Sequence, residues 1–80
     1  MTLKIISADD VIFQGEASAV HLPGASGAFT VLPGHASLIS TLTPGSVRFT
    51  TTSAEAPEQT VQIAGGVVDV DRDVVSVCIY

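Results

Sequence analysis

With 80 residues, 46% of them apolar, and a mean hydropathy of +0.51, the chain has the length of one domain and enough apolar side chains to bury a core, which excludes a disordered tail. Three bases, Lys4, Arg48 and Arg72, stand against eight acids for a net charge of -5, so no basic patch can track a nucleic-acid backbone. Charged residues make up only 14%, low for a small domain that must coat itself with solvated side chains, and this leaves apolar surface for a protein partner.

No helical stripe stands out along the chain. Short runs rich in Val, Ile, Thr and Phe do, separated by turn residues. They predict strands over 3–7, 11–14, 16–22, 28–32, 36–42, 46–52, 59–64, 67–71 and 74–80. Alternation is plain where Val47 and Phe49 flank Arg48, where Val61 and Ile63 flank Gln62, where Val68 and Val70 flank Asp69, and across Val75, Val77 and Ile79. A side-chain period of two turns one set of each run inward. Pro23-Gly24, Pro33-Gly34 and Pro44-Gly45 recur at spacings of 10 and 11 residues. Proline presets the second position of a type II turn and glycine supplies the positive φ of the third, so all three are expected to be such turns. Gly65-Gly66 and Asp71-Arg72-Asp73 mark two further turns, the first read as a hairpin. The polar stretch 53–58 reads as an exposed hairpin tip. The expected fold is an all-β sandwich, one domain spanning 1–80.

Cys78 is the lone cysteine, so no internal disulfide can form, which suits a reducing compartment. Beside Val77 and Ile79 it is expected to be a small buried hydrophobe. No apolar run reaches the roughly 18 residues of a membrane-spanning helix, and the first residues do not have the pattern of a secretory signal.

Residue patterns offer little chemistry. His21 and His35 lie 14 residues apart without a converging set of acids, so they do not make a metal site. Ser37 lies two residues from His35, but no orienting group or oxyanion turn completes a nucleophile pair. Gly65-Gly66 is followed by a strand, whereas a phosphate-binding loop needs a helix N-terminus. Asp69, Asp71 and Asp73 alternate on one strand face and read as a solvated, edge-protecting row. No catalytic residue, cofactor site or metal site is expected. On residue types alone the chain is a small acidic β-module for interaction. A group-carrying lipoyl- or biotinyl-like domain is the other reading, but that needs a lysine at a hairpin tip, and the only lysine, Lys4, falls in the first strand.

Four motif blocks carry more. Gly24-Ala25-Ser26-Gly27-Ala28-Phe29-Thr30-Val31-Leu32-Pro33-Gly34-His35-Ala36-Ser37-Leu38 resembles the G-x-x-G-x-x-x-x-x-P-G-H-A-x-L signature of the epsilon subunit of F-type ATP synthase, called delta in mitochondria. Pro44-Gly45 follows at the matching distance. Ile63-Ala64-Gly65-Gly66-Val67-Val68-Asp69-Val70 and the opening Leu3–Ala17 segment resemble two further blocks of that family, in the same order.

The resemblance implies a sandwich of two roughly five-stranded antiparallel sheets. It implies a non-catalytic rotor piece that couples the gamma subunit to the ring of c subunits during proton-driven ATP synthesis. Its place would be the cytoplasmic face of the bacterial inner membrane, held there only through the complex. Carried over by motif position, Gly24, Ala25, Ser26, Gly27 and Ala28 are expected at the c-ring, and His35, Ser40, Ala64 and Gly65 at gamma. For His35 a turn histidine bonded to local backbone is the plain alternative. For Phe29, Leu32 and Leu38 it is simple core. Many relatives carry Glu where this chain has Ala28, so a polar anchor to the ring is missing at that position. Typical members continue into a two-helix hairpin, and these 80 residues are expected to hold none of it.

Overall fold

A computed structural model describes residues 1–52 and 56–80. Every regular element among them is a strand: β1 (Thr2–Ile6), β2 (Val11–Leu22), β3 (Phe29–Val31), β4 (Leu38–Leu42), β5 (Gly45–Thr51), β6 (Gln59–Ile63), β7 (Gly66–Asp71) and β8 (Val74–Ile79). They form two sheets that share β2. The first runs β4-β7-β8-β1-β2, and the second holds β3, the latter half of β2, β5 and β6. The all-β sandwich is as the sequence implies, with five strands in one sheet and four in the other. One pair departs from the antiparallel pattern. β1 and β8 run parallel, Thr2 opposite Val74 through Ile6 opposite Cys78, so the two ends of the chain lie side by side in mid-sheet.

Sequence reading splits 11–22 at Gly15, but β2 is continuous. Gly15 stays extended opposite Leu3, and the register shifts later, between Ala17 and Ala19. The residue passed over, Ser18, bonds Thr50 Oγ1 at 2.8 Å and donates to the Thr51 carbonyl at 3.2 Å. A bulge bends its strand and raises the local twist, which is how one strand can serve two sheets.

The inward set of each strand meets between the sheets. Leu3 and Ile5 of β1, Val68 and Val70 of β7, and Val75 and Val77 of β8 face Val20, Val31, Val47 and Phe49 of the second sheet, all 2% exposed or less. Phe49 packs on half-buried Phe13 with ring planes tilted by 49° and centroids 4.5 Å apart. No polar or charged side chain is buried among the described residues. The alternation that buries Val77 turns Cys78 out, and the thiol is exposed, contrary to the expectation of a buried hydrophobe.

The glycines explain themselves differently from the sequence reading. Only Pro33-Gly34 is a type II turn: Gly34 has φ 81°, and His35 N donates to the Leu32 carbonyl at 3.1 Å. Gly24 and Gly45 lack a positive φ. Both lie where the chain passes close to itself. A Cβ on Gly24 would lie 2.6 Å from the Gly27 carbonyl oxygen and 2.7 Å from the Phe29 ring, while one on Gly45 would meet Pro23 at 3.3 Å. Gly65-Gly66 is not a hairpin either. β6 pairs with β5, and β7 pairs with β4 and β8, so the chain crosses here from one sheet to the other. β5 and β6 do form a hairpin, and residues 53–55 of its tip lie outside the described residues.

Candidate interaction site

Leu42, at the end of β4, holds one corner together. It pairs with Gly66 across the first sheet, and Gly66 pairs with Ile79. On its other side Leu42 is bridged to Gly24. Ala25 N donates to the Thr41 carbonyl and Thr43 N to the Pro23 carbonyl, each at 2.9 Å. Backbone hydrogen bonds thus tie residues 23–25, which follow β2, to β4 of the opposite sheet. From this corner the loop of Gly24, Ala25, Ser26, Gly27 and Ala28 projects. Gly24 is buried, the other four are exposed, and a bond from Gly27 N to the Gly24 carbonyl at 3.0 Å closes the loop. Its surface is small and uncharged. Ala28 borders a shallow cleft of about 260 Å³ that is also lined by His21, Thr30 and Arg48. Arg48 is the one charged side chain in that lining. The His21 ring is held by Thr30 Oγ1 at 2.8 Å, and Arg48 pairs with Glu58 at 3.2 Å.

Ala64 and Gly65 come to the same corner. Ala64 N donates to the Tyr80 carbonyl and Tyr80 N to the Gly65 carbonyl, both at 3.2 Å. Ala64 is exposed and Gly65 is buried. His35 lies beyond the opposite end of β4, exposed, its Nδ1 donating to the Ala36 carbonyl at 2.7 Å. That is the local backbone bond foreseen as the plain alternative for this histidine. Ser40 sits mid-strand between the two ends, but the alternation turns it inward, half-buried, with its hydroxyl on the Thr41 carbonyl at 3.0 Å. The four residues assigned to gamma thus string along β4, a strand of about 17 Å. The loop assigned to the c-ring adjoins one end of that line.

Three carboxylates take a different part from the one expected. β7 lies between β4 and β8, so Asp69 and Asp71 do not guard an edge. Asp71 accepts the Ser37 hydroxyl at 3.0 Å and Asp73 accepts Gly34 N at 3.2 Å, which ties the turn before β4 to the β7–β8 turn. Of the three apolar residues weighed as core, Phe29 and Leu38 pack half-buried against it, while Leu32 is 53% exposed. The sequence reading passes over Ile39, 74% exposed on β4. Apolar neighbours at 38, 39 and 42 blur the period there, and only the register with β7 shows which one faces out. Lys4 pairs with Gln14 on one side and Ser76 on the other, inside the sheet and away from any hairpin tip. Among the described residues no three His, Cys, Asp or Glu side chains are placed to hold a metal ion, and no helix is long and apolar enough to cross a membrane.

The family model described as ATP synthase, Delta/Epsilon chain, beta-sandwich domain matches residues 1–79. The chain belongs to this family. Among curated members, the ATP synthase epsilon chain of Janthinobacterium sp. (strain Marseille) is 44% identical over 77 residues, 96% of this chain and 54% of that protein. The epsilon chain of Herminiimonas arsenicoxydans is 42% identical over the same shares. The delta/epsilon sandwich described here thus spans about half the length of the curated relatives it matches. Its fold is shared with a chain of the Euglena gracilis mitochondrial ATP synthase OSCP/F1/c-ring structure, with TM-score 0.87, 24% identity, and coverage of 96% of this chain and 48% of that one. It is shared as well with a chain of the Tetrahymena thermophila mitochondrial ATP synthase central stalk/c-ring structure, with TM-score 0.83, 12% identity, and coverage of 98% and 61%.

Proposed function

We propose that this sandwich is a rotor piece of F-type ATP synthase that joins the gamma subunit to the ring of c subunits and performs no chemistry itself. The observation that carries the reading is the family match over residues 1–79. The geometry supports it. The body that would pass torque is a close-packed sandwich, and close-packed interiors deform little under load. The loop of Gly24, Ala25, Ser26, Gly27 and Ala28 meets the ring through its four exposed residues, and the line of His35, Ser40, Ala64 and Gly65 along β4 meets gamma through His35 and Ala64, with half-buried Ser40 and buried Gly65 behind them. The two surfaces meet at the Leu42 corner, where backbone bonds join the sheets, so the path from one partner to the other is short and stiff. With Ala28 in the loop, contact with the ring is van der Waals rather than ionic, as an obligate interface allows. The complex is membrane-associated, and the sandwich rides on it at the cytoplasmic face of the bacterial inner membrane, without touching lipid.

Co-expression of the tagged chain with gamma and c subunits of its own enzyme tests this. Both partners are expected to stay bound through size exclusion. Ala28→Arg, which sets a bulky charge on the loop, is expected to release the ring while gamma remains. A chain that elutes alone beside gamma at micromolar concentration would overturn the reading.

A further inference from the structure

We infer that the open edge of β4 is a strand-addition site, at which an extended segment of the stalk partner pairs with the backbone of Ile39 and Thr41 and sets a basic side chain against Asp69. The inference rests on the proposed function for the partner's identity and adds how that partner binds. The Thr41 carbonyl and the Thr43 amide both point away from β7, toward residues 23–25. In a strand the N–H and C=O of alternate residues share one side, so both backbone groups of Ile39 and the N–H of Thr41 point the same way. No protein group bonds any of these three among the described residues. Residues 23–25 have begun a pairing at the Leu42 end that stops short of Ile39.

Edges left to solvent are ordinarily blunted by charge, proline, a bulge or brevity. β3 has three residues, and the register of β2 with β1 shifts at its outer end. Leu38-Ile39-Ser40-Thr41-Leu42 carries no charge, proline or bulge, is covered by residues 23–25 at its Leu42 end alone, and displays Ile39 at 74% exposure. On the β7 side of Ile39 runs a groove of about 460 Å³ lined by Ser37, Leu38, Ile39, Asp69, Val70 and Asp71, which a long side chain from the open edge reaches by passing over Ile39. Asp69 stands opposite Ile39 in the register, and among the described residues it has neither an ion pair nor a hydrogen-bonding side-chain partner. Apolar protrusion, free backbone groups and an uncompensated carboxylate together fit a β-strand with an apolar residue and a Lys or Arg on the same face.

Amide hydrogen exchange on the full chain, free and bound to gamma, tests this. With gamma at about a hundred times Kd, exchange at Ile39 and Thr41 is expected to slow about a hundredfold. Ile39→Pro removes the outward N–H and leaves the β7 ladder whole, as proline on an open edge can. It is expected to weaken binding about tenfold more than Ile39→Ala, with melting temperature as the check on folding. Should the proline variant not fold, the exchange readout stands by itself. Asp69→Asn is expected to weaken binding and flatten its salt dependence. A complex in which Ile39 and Thr41 exchange as in the free chain overturns strand addition and leaves the rotor reading intact. No complex at all overturns both. Protection of these amides in concentrated chain without gamma would assign the edge to a second copy and overturn the stated occupant.

Discussion

Gly66 and Gly34 look alike in the sequence and do different work. A Cβ on Gly66 would run into the Cys78 carbonyl across the β7–β8 pair, at φ 157°, and nothing there can move without opening the sheet. Gly34 has φ 81° and open space around it. Gly66→Ala is therefore expected to destabilise the fold by at least the roughly 1–3 kcal/mol of a backbone held in a sparse region. Gly34→Asn is expected to change stability little, because asparagine enters the left-handed region readily. Urea unfolding of the two variants checks this, and a Gly66→Ala midpoint equal to the parent's would sink the close-approach account. Pro33-Gly34 was legible as a turn because φ at both positions is a local property. Gly24, Gly45 and Gly66 were not legible in the same way, since the atoms that a Cβ would meet there belong to Gly27 and Phe29, to Pro23 and to Cys78.

At the level of strands, alternation placed most of the core correctly. Val47 and Phe49, Val68 and Val70, and Val75 and Val77 all point inward as their period implies. Phe49 matters most among them. It is 1% exposed, the largest fully buried side chain, and it touches Phe13. Phe49→Ala is expected to cost about 3–5 kcal/mol. A domain of this length is stable by roughly 4–12 kcal/mol, so the variant is expected to lose between about a quarter and all of its stability. A cooperative melt within a few degrees of the parent's would show that the sheets meet elsewhere. Where one strand serves two sheets, alternation is silent. β2 reads as two strands broken at Gly15, because a glycine between apolar runs is the same local signal whether the chain turns or continues.

Over the whole molecule the arrangement is dominated by distant partners. β1 and β8 lie at opposite ends of the chain and form the middle of the first sheet, and β4 reaches across to residues 23–25. Topologies of this kind close large loops before contacts reward them, so refolding is expected in milliseconds to seconds. Stopped-flow refolding from urea is the measurement, and a dominant microsecond phase would contradict the parallel closure. The reach of β4 to residues 23–25 sets the two proposed partner surfaces side by side on one body.

Period-two patterning, the Pro33-Gly34 turn and four ordered motif blocks were enough to indicate an all-β member of the delta/epsilon family, because each depends on neighbours along the chain. The motif blocks also named the stretches that the proposed surfaces occupy. Pairing between remote strands decided the rest: which glycines admit no side chain, that Cys78 and Ile39 face out while Ser40 faces in, and that the 24–28 loop adjoins the end of β4. Short-range sequence signals do not encode such facts, since a strand's outer face and its open edge exist only once the strands beside it have been chosen.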